Sequence, residues 1–87
     1  MTKYKIKKGF IVQKLNNKIT IFDSEKSVLY NFNETASFIF DKLKKQWDKK
    51  KIIGKLNQLY GVDNKTAGDD LNNLIRDLLS KKIISTA

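Results

Sequence analysis

The sequence predicts an α+β domain in which a three-stranded antiparallel sheet precedes three helices. Three observations predict it. Between Gly9 and Phe32 the apolar residues fall in short β-branched and aromatic runs separated by polar pairs. From Asn33 onward they recur every three to four residues. The change from one period to the other falls within a single segment, Val28-Leu29-Tyr30-Asn31-Phe32-Asn33-Glu34-Thr35-Ala36-Ser37-Phe38-Ile39-Phe40. A period of two belongs to a pleated strand and a period near 3.6 to a helix. Strands and helices are therefore segregated along the chain, which is the α+β order.

The first strand is expected over residues 9–15, centred on Phe10, Ile11 and Val12, residue types that suit a half-buried pleated surface. Asn16-Asn17 is a two-residue turn signal, because Asn tolerates positive φ better than most residues. Residues 18–22 return, with Ile19 and Ile21 on one face. Asp23-Ser24-Glu25-Lys26 is a polar turn, and a third strand follows over residues 27–32. Val28, Tyr30 and Phe32 share one face of it. The product is a three-stranded antiparallel meander. Its open edges display unpaired N–H and C=O groups to which another strand can add.

Asn33 is placed to cap the first helix, since its side-chain oxygen can accept a backbone N–H of the first turn. Glu34 then sits where the helix dipole favours negative charge. Ala36, Ile39, Phe40 and Leu43 follow at helical spacing, and the helix should end near Lys45-Gln46. Asp48, after Trp47, is the second N-cap. Lys49, Lys50 and Lys51 occupy the first turn of that helix, where the dipole disfavours them. Ile52, Ile53, Leu56, Leu59 and Tyr60 are its expected buried stripe, and Gly61 its C-cap, taking the left-handed conformation without steric cost. Val62-Asp63-Asn64 leads into a third helix over about residues 65–81, with apolar positions Ala67, Leu71, Leu74, Ile75, Leu78 and Leu79. Ile83-Ile84 returns to cover the core. The whole chain, 1–87, is expected to form one domain, with strands over about 9–32 and helices over about 33–81.

Composition restricts the chemistry. A chain of 87 residues buries roughly 60–65% of the surface its unfolded form exposes, so the core is modest. There is no Cys and no His. The first absence removes disulfides and thiolate metal sites; the second removes the usual proton shuttle and the commonest metal ligand. Ser24, Ser27, Ser37 and Ser80 have no imidazole to activate them. The expectation is a protein that is not an enzyme, with no cofactor and no metal. No apolar run approaches the ~20 residues needed to span a bilayer, and the basic N-terminus is not followed by an apolar signal core. A soluble, cytoplasmic protein without a membrane partner is expected. The net charge is +9, almost all of its basic residues being Lys. Such a balance suits an acidic partner, although solvated surface lysines account for it equally well.

Four stretches together carry a family likeness. Phe32-Asn33-Glu34-Thr35-Ala36 with Ile39-Phe40 forms the strand-to-helix corner. Leu59-Tyr60-Gly61-Val62-Asp63 forms the turn between the second and third helices. Asp70-Leu71 with Ile75, Leu78 and Ile83 forms the ending. In order and spacing these resemble the PqqD-like family, named after pyrroloquinoline quinone biosynthesis protein D, over roughly residues 10–84. Two positions depart from the pattern: Lys82 stands where the family usually has Gly, and Lys49 where an apolar residue is common, a volume Trp47 can fill.

The resemblance implies a winged helix-turn-helix-like domain that recognises the leader segment of a ribosomally made precursor peptide. The leader would add as an antiparallel strand to the third strand, with its side chains in the groove beside the third helix. Carried over by position, the peptide-binding residues are Val28, Leu29, Tyr30 and Asn31 on the strand and Leu74, Asp77, Leu78 and Lys81 on the helix. The implied partners are the precursor peptide and a modifying enzyme, such as a radical S-adenosylmethionine enzyme or a leader peptidase of lasso-peptide maturation. A member of this length is expected to act in trans, or to be a piece of a fusion.

The rival reading is a winged-helix nucleic-acid-binding protein. It is disfavoured because the helix that would enter the major groove carries Asp69, Asp70 and Asp77 against Lys65, Arg76 and Lys81. Carboxylates there repel phosphate, and a single Arg cannot supply the usual guanine contacts.

Overall fold

The computed structural model describes residues 3–86. Five strands and three helices follow the order β1 (Tyr4–Ile6), β2 (Phe10–Leu15), β3 (Lys18–Asp23), β4 (Val28–Asn31), α1 (Glu34–Lys44), α2 (Lys49–Tyr60), α3 (Asn64–Ser80) and β5 (Ile84–Thr86). The expected meander is β2-β3-β4, antiparallel throughout. Asn16 and Asn17 both take positive φ, 51° and 66°, the pairing a tight hairpin needs to match the twist of its strands.

No strand is expected from the sequence at either end of the described chain. The structure adds two: β1 and β5 pair antiparallel, Tyr4 with Thr86 and Ile6 with Ile84. Each has only three residues, too few to show a period, and each acquires its conformation from the other. The Gln46 side-chain amide donates to the Tyr4 carbonyl at 2.6 Å and ties this ribbon to the end of α1.

The helix ends follow their local chemistry. The side chains of Asn33, Asp48 and Asp63 accept the N–H groups of Ala36, Lys51 and Thr66, and Gly61 ends α2 at φ 65°. Ile19 and Ile21 of β3, Ile39, Phe40 and Leu43 of α1, Ile52 and Leu56 of α2, and Leu71, Ile75 and Leu78 of α3 meet in one core, which Ile83 and Ile84 close. Leu59 and Leu79, expected in the buried stripes, are instead 56% and 39% exposed. At 100° per residue Leu59 lies on the flank of its stripe away from Tyr60, and Leu79 on the flank away from Leu74.

Two departures from the family pattern have plain outcomes. Lys82 takes φ 61°, so the last turn has the left-handed shape that a Gly would give it. Trp47 is half-buried against the core, with the ammonium groups of Lys42 and Lys51 4.7 and 4.1 Å from its ring.

Candidate peptide-binding groove

The corner between β4 and α1 sets the site. Phe32 donates its N–H to the Ile19 carbonyl at 3.0 Å, but the return bond is not direct. The Ser37 hydroxyl stands between, accepting the Ile19 N–H at 2.7 Å and directed at the Phe32 carbonyl at 3.4 Å. One turn of α1 is thereby bonded into the end of the sheet, while Phe32 packs edge-on against Phe40 at 5.7 Å.

That bond also fixes which backbone groups of β4 are free. In an antiparallel pair, residues that exchange hydrogen bonds alternate with residues that do not. Phe32 opposite Ile19 is a bonded pair, so in the observed register Tyr30 opposite Ile21 and Val28 opposite Asp23 are bonded too. Leu29 and Asn31 therefore turn their N–H and C=O groups away from β3. Because β4 is the last strand of its sheet, they turn them toward an open edge. The two residues have the same parity, so both point outward.

Side chains sort by face. Tyr30 lies on the inner face, opposite Ile21, and is half-buried. Leu29, on the outer face, is 56% exposed and forms a row with Phe22 and Ile11 across the three strands. Val28 is exposed at the start of the strand, and Asn31 accepts a hydrogen bond from the Thr20 hydroxyl at 3.2 Å.

A stripe of α3 begins beside Tyr30 of β4. Asp70, Leu74, Asp77 and Lys81 recur at three- and four-residue spacing and so share one face. The Lys81 ammonium lies 5.7 Å from the centre of the Tyr30 ring and is ion-paired with Asp77. Leu74 is half-buried. Leu78 is different: it is wholly buried in the core and presents no surface to the groove, because it is turned about 100° from Asp77. Toward the start of α1 the stripe borders a concavity of about 500 Å3, lined by the cap residue Asn33, by Ala36 and Ile39 of α1 and by Asp70, Asn73, Leu74 and Asp77 of α3. Asp70 and Asn73 were not among the residues singled out for binding, although their spacing from Leu74 and Asp77 places them on that flank.

The groove offers main-chain donors and acceptors, an aromatic ring with a polar tip, and a wall of mixed charge. Among the described residues no group of three or more carboxylates is placed to hold a metal ion, and no helix is long and apolar enough to cross a membrane.

The model of the coenzyme PQQ synthesis protein D family, PqqD, matches residues 19–84. The chain belongs to the PqqD family. Two solved structures share the fold of this PqqD-family chain. One is described as TbiB1 in complex with the TbiA(beta) leader peptide, at 18% identity and a TM-score of 0.82, covering 93% of this chain and 94% of that one. The other is described as lasso peptide synthetase B1 complexed with the leader peptide, at 17% identity and a TM-score of 0.87, covering 95% and 98%. No curated protein matches this PqqD-family sequence.

Proposed function

We propose that this chain is a non-catalytic recognition protein that binds the leader segment of a ribosomally made precursor peptide and presents it to a modifying enzyme. The observation that carries the reading is the open edge of β4, with the Leu29 and Asn31 main-chain groups directed outward beside the groove of Tyr30, Leu74, Asp77 and Lys81. Strand addition draws affinity from the main chain and selectivity from alternate side chains that enter pockets. Membership of the PqqD family supports the reading, as do two structures of the same fold described as leader-peptide complexes. The leader lies antiparallel to β4, its inward side chains between Tyr30 and the α3 stripe.

The chain has no His and no Cys, and its part is to hold the substrate, without a cofactor, for a separate cytoplasmic enzyme. A radical S-adenosylmethionine enzyme and a lasso-peptide leader peptidase both fit that arrangement, since either needs its precursor tethered and extended. The test begins by reading the genes beside this chain's own for a short precursor, and uses a synthetic leader made from it. Calorimetric titration is expected to give one-to-one binding, and mass spectrometry an unchanged peptide. Absence of binding, or a covalent change produced by this chain alone, overturns the reading.

A further inference from the structure

The groove continues past the start of β4. Between the β3–β4 turn and the end of α3 lies a second concavity, of about 220 Å3. Five lysines from three separate segments border it: Lys7 and Lys8 ahead of β2, Lys26 in the turn, and Lys81 and Lys82 at the end of α3. Two carboxylates, Asp23 and Glu25, border it as well. Asp23 is only 4% exposed, and one of its oxygens is occupied by the N–H groups of Glu25 and Lys26, at 3.0 and 3.1 Å. Among the described residues Lys81 has an ion-pair partner, Asp77, whereas Lys7, Lys8, Lys26 and Lys82 have none within 4.0 Å. The opposite end of the groove has the reverse character: Asp70 and Asp77 line its concavity, Asp77 paired with Lys81 and Asp70 with no lysine within 4.0 Å among the described residues.

We propose that this lysine cluster is a subsite for the carboxylates of Asp or Glu residues that lie just C-terminal to the β4-paired segment of the leader. The proposal rests on the strand-addition reading above. A strand antiparallel to β4 passes Asp70 first and Lys81 last, so its chain leaves the groove at the lysines. With about 3.3 Å of advance per residue and the long reach of a lysine stem, the acidic residues fall within about four positions of the last paired one. The arrangement disfavours the opposite order, because acidic residues ahead of the paired segment would face Asp70, which has no lysine partner among the described residues. A peptide rather than a phosphate backbone is the occupant, since the cluster adjoins the open β4 edge, whose outward N–H and C=O groups pair with main chain.

A displayed library of random 15-residue peptides is selected against the wild-type chain, the Lys8→Glu/Lys26→Glu chain and the Leu29→Pro chain, each checked for folding by circular dichroism. The wild type is expected to recover peptides with an alternating apolar core followed by Asp or Glu. The double variant is expected to recover the same cores without the acidic residues, and a selected peptide is expected to lose about fivefold in affinity for each lysine reversed. Cores recovered by the wild type, and lost with Leu29→Pro, but with no acidic bias overturn the subsite and leave strand addition standing. Peptides recovered equally well by Leu29→Pro overturn strand addition itself, and the subsite with it. If a random-sequence DNA duplex binds through Lys8 and Lys26 while peptide affinity is unchanged by their reversal, the cluster is a phosphate surface and the proposal fails.

Discussion

Proline scanning along β4 separates binding from folding, because alternate residues spend their N–H groups on different partners. Leu29 and Asn31 direct theirs to the open edge, whereas Tyr30 donates to Ile21. Leu29→Pro removes one bond to an added strand and leaves the β3–β4 ladder whole. The lost bond and the orphaned leader carbonyl together cost about 1–3 kcal/mol, roughly 5- to 150-fold in affinity. The residue before a proline is pushed toward the extended region, which Val28 already occupies as a strand residue. Asn31→Pro is expected to behave alike, with the added loss of the exposed Thr20 hydrogen bond. Tyr30→Pro has the opposite consequence. It orphans the Ile21 carbonyl beside a wholly buried side chain and destabilises the fold by about 1–3 kcal/mol, which in a domain of this size lowers Tm by roughly 4–8 °C per kcal/mol. Tyr30→Ala, which keeps the ladder, is expected to weaken binding by about 1–3 kcal/mol. Lys14→Pro on the far edge, where the N–H also points outward from β3, is the control that should leave affinity unchanged. Titration calorimetry and thermal denaturation on the same samples measure both quantities. Intact affinity in well-folded Leu29→Pro and Asn31→Pro chains would refute strand addition at β4. A stable Tyr30→Pro beside an unfolded Leu29→Pro would refute the register.

Four further outcomes are expected. Lys82→Gly relieves a left-handed residue at φ 61°, which costs a side chain about 1–2 kcal/mol; Tm should rise, less the entropy Gly adds to the unfolded chain, and an unchanged or lower Tm counts against the strain. Ser37→Ala strands the buried Ile19 N–H and should destabilise by about 1–3 kcal/mol in denaturant titration. Acid should destabilise the fold. The N–H and hydroxyl of Thr66 hold the Asp63 carboxyl below the usual carboxylate range. Burial pushes Asp41 up, but Lys45 and Lys42 outweigh it and hold that carboxyl low as well. Groups depressed in the fold contribute stability that is present above about pH 4 and lost as pH falls through their lowered values, and Asp63→Asn, which keeps a good cap, should flatten that slope in melts between pH 7 and 3. Finally, the +9 charge should make association with an acidic leader slow as ionic strength rises; stopped-flow rates that do not change with salt would mean that the lysines play no part in steering.

What was legible in the sequence was local. Asn33, Asp48 and Gly61 act within one helical turn, so their identities suffice to place the helix ends. Asn16-Asn17 likewise needs only its own dihedrals. Beyond that range legibility fails. Tyr4–Ile6 and Ile84–Thr86 are strands because they meet each other, and no window around either contains its partner. Leu59 and Leu79 have helical spacing, yet which flank of an amphipathic stripe is covered depends on how neighbouring helices are set. The same holds on α3: the resemblance assigns Asp77 and Leu78 alike to the proposed groove, but the separation of the two, Leu78 in the core and Asp77 at the surface paired with Lys81, follows from the rotation of α3 against the sheet. The outward direction of Leu29 and Asn31 required the single bond from Phe32 to Ile19.

The β1–β5 ribbon has a consequence for how the chain folds. Its partners are separated by nearly the whole sequence, as with Tyr4 and Thr86, whereas the hairpin at Asn16-Asn17 and the helical turns close over a few residues. Long closures cost more entropy and form late. The ribbon can assemble only when both of its strands exist, after the meander and helices have brought them within reach. Its amides should accordingly exchange with solvent sooner than those of β3 and α3, by openings that leave the β4 edge intact. The end-to-end pairing thus acts as a latch: because Lys7 continues the ribbon by donating to the Ile83 carbonyl, its opening would loosen the lysine end of the groove while main-chain pairing along β4 stays in place.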